Sequence, residues 1–168
     1  MSGVYERNRD MSRFQWVYDA RQIRHEVDRL ARSEKVIPKS LRFSHGLRLC
    51  DHAARLVECC RKAYDRYPST ARLVLERKHW MQEAIDECWM IVEDLQNLRD
   101  EGFPVDLNMF DRVAGLLDEE ITLLAKWRNN TKLTGKAPIE ERMALKEAEI
   151  DDLRALAEEQ QNSFEVTG

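Results

Sequence analysis

The residue types that could do chemistry here are histidine, cysteine and clustered carboxylates. The four histidines are His25, His45, His52 and His79, and the four cysteines are Cys50, Cys59, Cys60 and Cys88. His45 and His52 share a helical face, but seven residues span about 10.5 Å along a helix axis, too far for one metal ion to bridge. The cysteines form no C-x-x-C pair, and a catalytic thiol would need a histidine brought to it by the fold. We therefore expect reduced thiols within helices.

The carboxylates suggest no catalytic centre either. A di-metal helical bundle takes an inward-facing Glu-x-x-His motif from each of two helices. This sequence has one such motif, Glu76 to His79, and its glutamate faces away from the apolar stripe of its helix. The isolated glycines form no phosphate-binding loop. The sequence thus predicts no catalytic residues, no metal and no cofactor, and we expect the protein not to be an enzyme.

Basic residues are more informative. Arg48, Arg55 and Lys62 repeat every seven residues, with Arg66 one turn further on. Such a row could follow a phosphate backbone, or it could be a solvated face with intrahelical ion pairs. The candidate nucleic-acid-binding residues are Lys39, Arg42, Arg48, Arg55, Lys62, Arg66, Arg21, Arg29 and Arg32.

Charge is divided unevenly along the 168 residues. Residues 1–66 contain 15 basic and 9 acidic residues, whereas residues 67–168 contain 12 basic and 22 acidic ones, and the net charge is −4. A basic half with an acidic tail is common in proteins that meet nucleic acid. The apolar runs are too short for a membrane span, and the charged N-terminus does not look like a signal peptide. We expect a cytoplasmic protein without a membrane partner.

Apolar spacing predicts five helices that position these residues. The predicted fold is all-α, an antiparallel up-down four-helix bundle with an extra charged C-terminal helix. The predicted divisions are a flexible N-terminus (1–10), the bundle (11–130), a linker (131–137) and an acidic helix or tail (138–168). Thr70 or Ser69 could cap the third helix, Gly102 could end it, and Asp106 could cap the fourth. The predicted core stripe of the second helix is Phe43, Leu47, Cys50, Ala54, Val57, Cys60 and Tyr64.

The third and fourth helices each carry a second apolar row, which a bundle helix does not need. Each large apolar side chain left in water would forgo about 1.5–3 kcal/mol. Either the fifth helix or another subunit should therefore cover these rows. The candidate oligomer-interface residues are Leu73, Trp80, Ile91, Leu98, Leu116, Leu123 and Trp127.

The segment IPKSLRFSHGLRLCDHAARLVECCRKAYDRY contains a short motif at the start of the second helix. Its residues are Pro38, Lys39, Ser40, Arg42, Phe43, Gly46 and Arg48. This motif resembles the Avd family, the accessory variability determinants of diversity-generating retroelements, which are grouped with ribosomal-RNA intervening-sequence proteins. The likeness covers about residues 14–130, with LLAKWRNN around Trp127 where the family often has Gly-Gly-Trp.

The resemblance implies a phage or bacterial four-helix bundle that assembles as a homopentamer. It also implies a non-enzymatic accessory subunit that binds a reverse transcriptase and its template RNA, or an RNA/DNA hybrid, and supports mutagenic cDNA synthesis. The alternative is a protein-interaction or scaffold bundle that does not bind nucleic acid. This second function predicts an apolar partner surface and no affinity for RNA.

Overall fold

A computed structural model describes residues 3–102 and 107–165 of the chain. These residues are all-helical, with five α-helices and no strand. The helices are α1 (Gly3–Arg32), α2 (Leu47–Asp65), α3 (Ala71–Asp100), α4 (Leu107–Asn130) and α5 (Ile139–Glu165). The first helix begins at Gly3, eight residues before its predicted start, so it includes most of the segment expected to be flexible.

Two of the predicted helix ends are confirmed. The Thr70 hydroxyl accepts a hydrogen bond from the Leu73 amide at 3.2 Å, which satisfies one of the free amides at the start of α3. Gly102 follows the last turn of α3 with φ +76°, a left-handed conformation that favours glycine. The predicted cap at Asp106 lies outside the described residues.

The first four helices pack in a closed order. Helix α1 contacts α2 and α4, and α3 also contacts α2 and α4. Contacts at opposite ends show that α2 and α3 run antiparallel. Arg66 at the end of α2 pairs with Glu76 near the start of α3, whereas Arg48 at the start of α2 pairs with Asp94 near the end of α3.

Most of the predicted core is confirmed. The apolar stripes that helical spacing predicts for three helices point inward. They are Trp16, Ala20, Ile23, Val27 and Leu30 in α1, Val74, Met81, Ile85, Cys88, Val92 and Leu95 in α3, and Phe110, Val113, Leu117, Ile121 and Leu124 in α4. Large fully buried members include Trp16, Ile23, Leu30, Met81, Leu117 and Leu124. Together with α2 they form one hydrophobic core.

The predicted core face of α2 was wrong by about one residue, or about 100° of rotation. The face that packs inward contains Leu49, Ala53, Leu56, Cys60 and Ala63. Of the predicted stripe only Cys60 is fully buried, while Phe43 is 85% and Leu47 is 52% exposed. Helix α2 has two apolar faces. The face that is buried contains two leucines, whereas the predicted face has smaller side chains or side chains at the rim of the core.

The connection between α1 and α2 is held by the motif residues. After Pro38 the chain makes a 3₁₀ turn (Lys39–Leu41) and a π-turn (Arg42–Gly46). The Arg42 guanidinium donates to the Arg32 carbonyl at 3.0 Å and so satisfies a free acceptor at the end of α1. A side-chain carbon placed on Gly46 would lie 3.9 Å from the Ala31 side chain, which is ordinary contact. The motif therefore has a local structural role.

The connection between α4 and α5 is docked. The Thr134 amide donates to the Pro68 carbonyl at 3.1 Å, which ties residues 131–138 to the turn between α2 and α3. Two further contacts join α5 to α3: the Ala71 amide donates to Glu141 at 2.6 Å, and Lys78 pairs with Glu149 at 3.0 Å. From Ile150 to Glu158 every side chain is exposed. As far as Glu158, helix α5 therefore packs only through its first three turns.

None of the described helices combines the length and the hydropathy needed to cross a membrane.

Candidate binding surfaces

The basic row of α2 lies along α3 rather than facing open solvent. Arg48 pairs with Asp94 at 2.8 Å and Arg66 pairs with Glu76 at 3.3 Å. Arg55 lies 3.9 Å from Glu87. The rotation of α2 explains this placement, because turning the core face by one residue moves the basic row towards its neighbour. Three of the predicted phosphate-binding residues are thus already opposite carboxylates.

A histidine joins two of these carboxylates. His52 Nδ1 lies 2.6 Å from Glu87 Oε2, and His52 Nε2 lies 3.8 Å from Asp94 Oδ2. The side chains of His52, Glu87 and Asp94 are each no more than 15% exposed. The sequence analysis missed Glu87 and Asp94. Their spacing of seven residues, equal to that of Arg48 and Arg55, was the available signal.

Other predicted phosphate ligands are also engaged. Lys62 pairs with Glu58 at 2.7 Å, and its ammonium lies 4.1 Å from the centre of the Trp80 ring, a cation–π contact. Lys39 pairs with Glu34 at 3.2 Å. The Arg42 guanidinium, already bonded to a carbonyl, lies 3.7 Å from the same carboxylate.

The arginines of α1 divide into two groups. Arg29 lies 3.5 Å from the buried Glu26, which Arg112 of α4 also approaches at 3.2 Å. Arg21 and Arg32 are exposed and form no ion pair with any described residue, and the same is true of Arg24. Residues 21, 24, 28 and 32 share one face at steps of three and four. This face lies beside α2, because the Asp28 carboxylate is close enough to the Cys50 thiol to raise its pKa.

Helix α2 adds a further arginine to this face. Arg61 lies eleven residues after Cys50, three helical turns along the same side of α2, and it is exposed. Because the Trp16 ring lies near Tyr64 and Asp28 lies near Cys50, Arg61 lies near the Arg21 end of this face. It forms no ion pair within the described part of the chain. We call the surface formed by Arg21, Arg24, Arg32 and Arg61 the arginine face. The sequence analysis did not select Arg24 or Arg61.

The second apolar rows are covered within the chain. Ile91 and Leu98 have no exposed surface, so their predicted place in a subunit interface was wrong. The other candidates, Leu73, Trp80, Leu116, Leu123 and Trp127, are half-buried. Helix α2 lies along this side of α3, as the contact between Lys62 and Trp80 shows. For the row of α3, the cover is therefore a neighbour in the same chain.

An exposed apolar surface lies elsewhere, on α5. Its side chains keep between 48% and 68% of their surface in solvent: Ile139, Met143, Ile150, Leu153 and Leu156. Ile139, Met143 and Ile150 lie roughly opposite the face that meets α3, whereas Leu153 lies to its side. We call these five side chains the exposed stripe of α5.

A carboxyl group lies deep in the core. Glu120 of α4 is 1% exposed, and the Cys60 thiol donates to its Oε1 over 3.7 Å. Burial, and more weakly nearby Asp19, raises the pKa of Glu120, the bond from Cys60 lowers it, and the resulting pKa is about 9. Glu120 is therefore protonated at neutral pH. The sequence analysis missed it, because it stands next to the exposed Asp118 and Glu119 in an acidic run.

The cysteines lie in environments that disfavour the thiolate. Burial raises the pKa of Cys50 and of Cys59 to about 11, and it raises the pKa of Cys60 and Cys88 further. Reactive cysteines need the opposite environment. No group of three His, Cys, Asp or Glu side chains among the described residues could hold a metal ion.

Comparison of the chain with protein-family models, with curated proteins and with solved structures finds no match.

Proposed function

We propose that α1–α4 form an antiparallel up-down four-helix bundle that serves as a non-enzymatic accessory subunit and binds RNA. The observation that carries this proposal is the arginine face: four exposed guanidinium groups on adjacent helices, none of them paired with a described carboxylate. Arginine is suited to phosphate because its planar fork donates two parallel hydrogen bonds. The paired row of α2 is not part of the proposed site.

The dimensions of the face suit a short stretch of backbone. Arg21 and Arg32 are eleven residues apart, which is about 16 Å along α1. Arg61 widens the face onto α2. Tyr64, three residues after Arg61, adds an exposed aromatic side chain. The centre of its ring lies 6.4 Å from the centre of the Trp16 ring of α1. Arginine and aromatic side chains together are the usual surface for single-stranded nucleic acid.

The identity of the partners comes from the resemblance to the Avd family. On that basis the RNA is the template of a diversity-generating retroelement, alone or as an RNA/DNA hybrid, and the protein partner is its reverse transcriptase. A homopentamer in the cytoplasm is part of the same proposal. The motif residues from Pro38 to Arg48 support it, and the structure adds the arginine face.

A salt series of RNA binding tests the proposal. Four phosphate contacts to a single strand should give a slope of about −3 in a plot of log binding constant against log salt concentration. The triple variant R21Q/R24Q/R61Q should bind at least about tenfold more weakly in 100 mM salt, with a slope near −1. The matched control K126Q/K132Q/K146Q removes three other exposed charges and should retain the original slope. Absence of binding in 50 mM salt, or equal losses in both variants, would refute the assignment.

A second function, protein interaction without nucleic acid, is favoured by the exposed stripe of α5. Residues 138–168 contain nine acidic and three basic residues, so a helix with basic flanks would complement this stripe. Under this function the variant M143S/L153S loses the partner, whereas the arginine-face variant does not. Native mass spectrometry measures whether that partner is another copy: a shift from oligomer to monomer on M143S/L153S would place the subunit interface on α5.

A further inference from the structure

A cavity of about 520 Å³ opens where the α4–α5 connection meets α3 and the start of α5. Its lining residues all belong to the acidic half of the chain, and none of them is part of the arginine face. Its charged lining consists of Lys78, Lys132, Arg142, Lys146 and Glu149. Four cations against one carboxylate give a formal charge of +3, in a chain whose net charge is −4.

The lining of the cavity is more basic than the sequence around it. Residues 138–168 contain only three basic residues, and two of these, Arg142 and Lys146, line the cavity. Their spacing of four residues places them on one face of α5. The single lining carboxylate, Glu149, already pairs with Lys78 at 3.0 Å. Neither Lys132 nor Lys146 pairs with a carboxylate among the described residues, so both ammonium groups can meet an anion.

The walls are held in place by hydrogen bonds. One Arg142 nitrogen donates to the Gly135 carbonyl at 3.0 Å, which ties the start of α5 to the connection. A guanidinium has five N–H donors, so this bond leaves others for a ligand. The Thr134 amide donates to the Pro68 carbonyl, which fixes the opposite side of the connection. The site is therefore largely formed before any ligand arrives.

The size and the remaining lining suit an organic anion. Small-molecule sites usually enclose about 300–1,000 Å³ and combine apolar walls with a few polar groups. Leu133 and Leu145 supply aliphatic surface, and Asn129 and Thr134 supply polar groups. We propose that this cavity binds a small organic phosphate of nucleotide size, with its phosphates against Lys132, Arg142 and Lys146.

Calorimetric titration of the full chain with ATP tests the proposal. We expect saturable one-to-one binding with a dissociation constant below about 1 mM in 150 mM salt. The variant K132Q/K146Q, which changes exposed side chains only, should weaken binding at least about tenfold, because each lysine acts on the phosphates as a point charge. The variant R21Q/R24Q removes two charges from the arginine face and should bind ATP like the unaltered chain.

Two other ligands identify the recognised group. Inorganic triphosphate should bind, and comparison of its dissociation constant with that of ATP measures how much the aliphatic walls contribute. Adenosine, which has no phosphate, should not bind. Adenosine binding as tight as that of ATP, no saturable ATP binding, or an unchanged dissociation constant in K132Q/K146Q would overturn the proposal. Because ATP and RNA binding respond to different variants, failure of one proposal leaves the other measurable.

Discussion

Arg48 of α2 donates to the carboxylate of Asp94 of α3 at 2.8 Å, and only 7% of the Asp94 side chain is exposed. The arginine is more than half exposed, so the pair stands at the rim of the core with its acid inside. The other Asp94 oxygen has no hydrogen bond and lies 3.8 Å from His52. The ion pair thus keeps a buried charge compensated at the α2–α3 boundary.

Replacing Arg48 with alanine should therefore destabilise the chain. The substitution leaves Asp94 buried without its closest cation, and we expect a loss of about 1–3 kcal/mol in the free energy of unfolding. Arg21→Ala is the matched control, because Arg21 is exposed and unpaired and should change stability by less than about 0.5 kcal/mol. Urea unfolding at pH 7 measures both. Equal small effects would mean that the pair is not formed in solution.

Glu120 should make stability fall as the pH rises. Its pKa is about 9 in the folded chain and near its ordinary value of 4.5 in the unfolded chain. Between these values the folded chain retains a proton that the unfolded chain has lost, so stability decreases with pH. Below the lower value both states are protonated, and above the higher one both are ionised, so the dependence disappears at each end.

The variant E120Q isolates this contribution. Glutamine keeps the size of the side chain but carries no charge, so the variant should be more stable than the unaltered chain at pH 8 by more than about 1.4 kcal/mol, the equivalent of one pKa unit. The advantage should shrink towards pH 5. Urea unfolding across this range measures it, with E119Q as the exposed control. Parallel stability profiles for the chain and E120Q would contradict the burial of an un-ionised Glu120.

The thiols should resist alkylation in the folded state. Burial raises the pKa of all four cysteines, so at pH 7.5 the thiolate fraction is minute even at half-buried Cys50. Iodoacetamide followed by mass spectrometry should find little modification of the native chain, with Cys50 ahead of Cys60. The denatured chain should be modified four times. Rapid native labelling of Cys60 would indicate an open core.

The second half of α5 should tolerate polar substitution. Leu153 is 67% exposed, so Leu153→Ser should change the free energy of unfolding by less than about 0.5 kcal/mol in an isolated chain. Leu145 is half-buried in the part of α5 that meets α3, and Leu145→Ser should cost more. Thermal unfolding at low concentration compares them. A large loss from Leu153→Ser would contradict this exposure and show that Leu153 is covered in the isolated chain.

The helices, their order and most of the core could be predicted from the sequence, because single amphipathic stripes determine which face is buried. The stripe of Trp16, Ile23 and Leu30 is unambiguous, and the structure buries it completely. Helix α2 has two apolar faces one residue apart, and only its neighbours decide between them. The face with Leu49 and Leu56 fills the core.

The binding surfaces were harder to predict for a related reason. The charge of Arg48 or Arg55 is visible in the sequence, but whether it is free depends on Asp94 and Glu87, some 30 to 50 residues away. Conversely, Arg61 stands beside Lys62 in the sequence, yet it lies on the side of α2 that faces α1 and not in the basic row. The cavity forms where α3, the α4–α5 connection and the start of α5 meet. No spacing in the sequence indicates that these three segments lie close together.

The hydrogen bond from Thr134 to Pro68 has a mechanical consequence. It joins the α4–α5 connection to the turn between α2 and α3. Helix α5 can therefore separate from α3 without disturbing the core, whereas breaking this hydrogen bond separates the end of α4 from that turn. The Thr134 amide should accordingly exchange its hydrogen later than the amides beyond residue 150, which makes it a reporter of how far fraying has advanced.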